Sequence, residues 1–167
     1  NMVKSFGNKA GDYGISAATV ANGRTYAYIF QHYGTNTTGW NDYQMPIGIA
    51  ELDYATGEYV IKFKTETFHG FQYNVLFYDM AYDPVTNKIY ACEFAYDIQG
   101  NDVIDTGMMN IYTIDPETCE PTFIGRADNI FTAMAADNGV VYGFTHDYDE
   151  EYQQQVASIL KFDPTTT

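Results

Sequence analysis

The chain reads as an all-β protein assembled from a repeated pair of antiparallel hairpins, and three observations predict this. Hydrophobic residues make up 46% and aromatics 17% of its 167 residues, a mixture that suits a pleated, half-buried strand surface better than a helix interior. Apolar side chains alternate at period two between clusters of turn-forming residues. The same turn-flanked segment also occurs three times along the chain, and a repeat of that kind governs the architecture.

SAATVANGRTY at 16–26 aligns without a gap on TAMAADNGVVY at 132–142. YDMAYDPVTNKIY at 78–90 repeats the pattern with a turn two residues longer. Each copy is a short strand of small residues, a turn on Asn-Gly or Asp-Pro-x-Thr-Asn, and a second strand opening on Tyr, which together make a β-hairpin. From that Tyr, steps of two give Tyr26, Tyr28, Phe30 and His32, then Tyr90, Cys92, Phe94 and Tyr96, then Tyr142, Phe144, His146 and Tyr148. This alternation predicts one strand face of mostly large side chains.

A second hairpin follows in each copy. IAELDYATG at 49–57 matches IYTIDPETC at 111–119 and ILKFDPTTT at 159–167. The turn signal is Asp-x-x-Thr, in which the Asp side chain bonds forward to turn amides and Pro, where present, presets φ. Residues 59–64 and 121–125 are predicted as fourth strands, and the third copy stops at its turn.

The turn aspartates Asp53, Asp115 and Asp163 stand 62 and 48 residues apart, against roughly 40–50 for one propeller blade. In these turns and strand patterns the chain resembles the generic β-propeller repeat of many bacterial secreted and surface proteins. The Gly-His and Trp-Asp marks of the WD repeat family are absent. The resemblance implies about three blades, each a four-stranded antiparallel sheet, at about 14–64, 76–126 and 130–167, the last incomplete. Residues 1–8 read as an outer strand of another blade. Propellers have about four to eight blades, so a larger ring is expected, completed by remaining blades of a longer chain in preference to a second copy of this one.

Formal charge is −14, from 8 basic and 22 acidic side chains, a field that repels phosphate backbones and anionic membrane surfaces. Nucleic acid is therefore excluded as a partner class. Apolar runs fall far short of the about 20 residues a bilayer span needs, so no membrane insertion is expected, and the first residues show no signal-peptide pattern. Cys92 and Cys119 lack CxxC spacing or a zinc-like His cluster and read as two free thiols in preference to a bridge.

The connections 33–45, 97–108 and 147–155 are expected as long loops on one side of the blades, and length beyond what a hairpin needs points to use. They carry Trp40, Asp42, Tyr43, Asp97 and Asp149, with Tyr96 at the strand end and His69 from the connection 65–76. Aromatics beside acids can stack on sugar rings or anchor a protein, so these seven are the candidate ligand-binding residues. Packing of Trp40 and Phe71 onto the blade is the alternative. Asn36-Thr37-Thr38 is formally a glycosylation sequon.

No metal site and no cofactor are assigned. Calcium is the one ion the loops could take up, through Asp97, Asn101, Asp102 and Asp105 or through 147–151, although neither follows the EF-hand spacing. His146 occupies the position of Phe30 and Phe94 and reads as a packed histidine. No Ser-His-Asp order, phosphate-binding Gly loop or metalloprotease motif is present. The expectation is an extracytoplasmic binding or scaffolding propeller with carbohydrate or protein as ligand. The alternative is a propeller-fold hydrolase or lyase whose carboxylates lie on the loop face.

Overall fold

The computed structural model describes residues 13–33, 43–53, 55–64, 77–99, 102–149 and 154–165. These residues are all-β and form three antiparallel sheets. The first is a meander of β1 (Tyr13–Ala21), β2 (Arg24–Tyr33), β3 (Tyr43–Leu52) and β4 (Tyr59–Lys64), paired in that order. The middle sheet repeats it with β5 (Asp79–Asp83), β6 (Lys88–Gln99), β7 (Asp102–Ile114) and β8 (Pro121–Ala127). The third has β9 (Ala133–Asp137), β10 (Val140–Asp149) and β11 (Gln154–Phe162). No helix among the described residues is long and apolar enough to cross a membrane.

Turn chemistry sets the register. Asn22 and Gly23 have φ of 51° and 76°, and Asn138 and Gly139 have 51° and 83°. Two consecutive positive values define the tight hairpin turn that Asn-Gly favours. The longer β5–β6 turn closes on Asn87 at φ 53°. In the Asp-x-x-Thr turns, the Asp carboxylate accepts the amide two residues on: Ala55 N to Asp53 at 2.8 Å, Glu117 N to Asp115 at 2.9 Å, Thr165 N to Asp163 at 3.0 Å. Asp83 receives Val85 N in the same way at 2.9 Å.

The strands correct the expectation of long loops. The 97–108 loop is mostly hairpin, because β6 continues to Gln99 and β7 begins at Asp102, with Asp97 paired to Ile104. A register shift between Phe94 and Tyr96 absorbs the irregularity there, and the Thr106 hydroxyl donates to the Ala95 carbonyl at 2.6 Å. The other two connections shorten likewise, since β2 ends at Tyr33, β3 begins at Tyr43, β10 ends at Asp149 and β11 begins at Gln154.

Burial extends to both strand faces. Tyr26, Tyr28 and Phe30 are buried as the alternation predicts, but so are Ala27 and Ile29 between them, so β2 is apolar on both sides. Sheet stacking explains the large face. Tyr26, Tyr28 and Ile49 of the first sheet share a cluster with Met80, Ile89, Ala91 and Ile114 of the middle sheet. Tyr90, Cys92, Met109 and Ile111 of the middle sheet join Met134, Val141 and Phe162 of the third. A third cluster, Ala27, Ile29 and Ala50 with Ile15, Ile47, Leu52, Tyr59 and Ile61, lies within the first sheet. In the third sheet the corresponding large face is open, with Phe144 40% exposed.

First strands meet first strands, β1 packing on β5 and β5 on β9. Polar contacts stitch these junctions. Asn22 Nδ2 donates to Asn87 Oδ1 at 2.9 Å, the Tyr82 hydroxyl to Asn22 Oδ1 at 2.7 Å and the Tyr26 hydroxyl to the Pro116 carbonyl at 2.8 Å. Across the next junction, Met134 N donates to Asp79 Oδ2 at 2.7 Å and Gly139 N to Asp83 Oδ2 at 2.8 Å.

Candidate functional site

The chemistry-bearing residues that the structure gathers lie at the far end of β6. On one face, three aromatic rings form a ladder: Tyr78 and Phe94 have centroids 5.1 Å apart in an edge-on arrangement, and Phe94 and Tyr96 6.5 Å apart. Strand alternation puts Phe94 and Tyr96 side by side. Tyr78, immediately before β5, reaches them because its backbone N donates to the Cys92 carbonyl at 2.7 Å. Its ring is 42% exposed, so the ladder runs from the core to solvent.

On the opposite face of the same strand end lies a polar chain. Glu93, Asn110 and Arg126 stand opposite one another on β6, β7 and β8. Arg126 spans from Asn110 Oδ1, at 2.9 Å from its Nε, to Asp97 Oδ1, at 3.2 Å from its Nη1. Asn110 Nδ2 then donates to Glu93 Oε1 at 3.1 Å, and the Tyr112 hydroxyl donates to the same oxygen at 2.6 Å. Glu93 is buried. Burial pushes its carboxyl above the ordinary value, and the bonds from Tyr112 and Asn110 only partly counter that. Burial pushes the Tyr112 phenol up as well, helped by the neighbouring Glu93.

Ring contacts hold this face in place. Phe77 lies between Tyr28 of β2, 4.9 Å away, and Tyr112, 5.4 Å away, and Phe123 meets the other side of Tyr112 at 5.6 Å. Such tilted and edge-on pairs favour a fixed geometry. Tyr112, the phenol that donates to Glu93, is thereby held by rings on both sides.

Of the seven residues proposed from sequence, the structure brings Tyr96 and Asp97 to this strand end, on opposite faces of β6. Asp97 is an exposed strand residue paired with Arg126, where the sequence placed it in a loop. Tyr43 opens β3 opposite Tyr33, and Asp149 closes β10 opposite Gln154, at the corresponding ends of their sheets. Trp40, Asp42 and His69 lie outside the described residues, as do the sequon at 36–38 and the strand read at 1–8. Sequence reasoning missed Tyr78, Glu93 and Arg126. Only the Phe94 and Tyr96 spacing could have signalled the ladder, because Tyr78 joins it from another strand.

Among the described residues, no group of three or more His, Cys, Asp or Glu side chains could hold a metal ion. Asp105 closes a local turn by accepting Gly107 N at 2.9 Å. Asn101, Glu150 and Glu151 lie outside the described residues. Cys92 and Cys119 are free and buried, in separate clusters. Burial pushes the Cys92 thiol up to about 12, which leaves it protonated and unreactive at neutral pH. No protein-family model matches the chain, and no curated protein matches it.

Proposed function

We propose that this chain is a segment of a β-propeller that works as an extracytoplasmic binding or scaffolding module, with the far end of β6 as its contact surface. The propeller reading is supported by three meanders of one design whose first strands pack in succession, β1 on β5 and β5 on β9. In a propeller these are the strands around the axis.

One observation carries the binding reading: the Tyr78–Phe94–Tyr96 ladder leads outward to an exposed ring. The apolar face of a sugar stacks on such rings. With a net charge of −14, the surface suits a neutral saccharide over an anionic one. A protein partner would use the same anchor rings.

Titration calorimetry with neutral oligosaccharides tests this. Tyr78→Ala should weaken binding about tenfold or more, the loss expected for an aromatic anchor, and Tyr96→Ala should act in the same direction. Unchanged affinity in both variants would remove the ladder from the reading. Trp40→Ala tests the aromatic proposed from sequence in the same assay. Glu93, a buried carboxyl with a raised pKa, supports the hydrolase or lyase alternative. Saccharide turnover that Glu93→Gln abolishes would move the conclusion to an enzyme.

A further inference from the structure

We infer that the 167-residue chain carries a site of spontaneous modification at Asn22–Gly23, where the side-chain amide converts to a carboxylate, and that the same dipeptide at Asn138–Gly139 is guarded against it.

An asparagine followed by glycine is open to one intramolecular reaction. The glycine nitrogen attacks Cγ of the asparagine, and no Cβ on the glycine stands in its way. A new N–Cγ bond closes a succinimide ring, the Cγ–Nδ2 bond breaks, and Nδ2 leaves as ammonia with the proton that the glycine nitrogen gives up. Water then opens the ring at either carbonyl, leaving aspartate or its isomer linked through the side chain. Water is consumed, ammonia is released, and no other reactant is needed.

Turn geometry and exposure do not separate the two copies. Their φ values are 51° and 76° at Asn22 and Gly23, against 51° and 83° at Asn138 and Gly139, and both asparagines are exposed. The attacking nitrogen does separate them. Gly139 N donates to Asp83 Oδ2 at 2.8 Å, and the Asn138 amide donates to the same carboxylate. To react, Gly139 N has to leave that bond and lose its proton beside a negative charge, which disfavours the deprotonated form. Among the described residues, no acceptor meets the Gly23 nitrogen.

The Asn22 side chain is held by its two ends. The Tyr82 hydroxyl donates to Oδ1 at 2.7 Å, and Nδ2 donates to Asn87 Oδ1 at 2.9 Å. The negative charge that develops on Oδ1 during attack therefore meets a donor already in place. Conversion removes the N–H that Asn22 gives to Asn87, a contact between the first and middle sheets. The isomer also lengthens the main chain inside a tight turn closed by the Ala21–Arg24 pair. This junction loosens as the protein ages, while the one held by Asp83 keeps its bonds.

Peptide mass spectrometry of the chain incubated at mildly alkaline pH tests this. Asn22 should convert first, and Asn138 about tenfold more slowly, the factor carried by one hydrogen bond to a charged group. In concentrated urea the two rates should converge, because only the fold tells the dipeptides apart. Asp83→Asn, which removes the charge and keeps the shape, should bring Asn138 close to the rate of Asn22. Equal rates in the folded chain, faster conversion at Asn138, or a difference that persists in urea would overturn the assignment.

Discussion

Four donors converge on the buried Asp83 carboxylate: Val85 N, the Thr86 hydroxyl at 2.7 Å, and the amides of Gly139 and Asn138 from the next sheet. Burial alone pushes its pKa up, but these bonds outweigh it and hold the group below the ordinary carboxylate range. Its contribution to stability is present above the unfolded-state value and fades as pH falls through the depressed native one. Asp83→Ala should cost roughly 2–4 kcal/mol in urea unfolding at neutral pH, since it strands buried donors, and the deficit should shrink in acid. Glu93 behaves oppositely. Its raised pKa favours a protonated native state, so its contribution is whole below the unfolded-state value and lost as pH rises through the native one. Glu93→Gln keeps the bond from Tyr112 and should gain stability at neutral pH. Urea titrations across pH should show that gain vanish in acid.

Hairpin turns were the most legible elements, because few residue types tolerate their backbone. Asn-Gly at 22–23 and 138–139 and the Asp-x-x-Thr signal each appear where the sequence put them. Cys119 shows the rule from the other side, taking φ 58° where the first copy has Gly57 at 72°. Gly48 was not legible. It has φ 142°, and a Cβ there would strike the Phe63 carbonyl on β4, a neighbour fixed by sheet register and not by local sequence. Gly48→Ala should therefore cost roughly 3 kcal/mol or more, from strain plus steric overlap, and thermal unfolding would measure it. Gly139→Ala meets only ordinary contacts, so it should lose about 1–2 kcal/mol from backbone strain alone. The β6–β7 extension was missed for a compositional reason. Residues 97–108 are rich in Asp, Asn and Gly, which read as loop, yet hairpin pairing of Asp97 to Ile104 and Gln99 to Asp102 extends both strands. The candidate site suffered most from this, since the ladder and the Glu93 chain are assembled across strands.

Across the described residues, the third sheet leaves one face open, whereas the middle sheet is covered on both sides. Its Ile89, Ala91, Cys92, Met109, Ile111 and Ile114 are fully buried, whereas Ile159 and Phe144 of the third sheet meet solvent. An aliphatic or aromatic side chain contributes about 1.5–3 kcal/mol when its burial is complete, so this difference sets a gradient of local stability. Sheets that depend on neighbours for buried area open from the least supported end. Amide hydrogens should exchange with deuterium soonest in β9–β11 and latest in β6 and β7, an order that mass spectrometry would resolve. The molecule thus frays from one side, and whatever caps that side governs its lifetime against proteases.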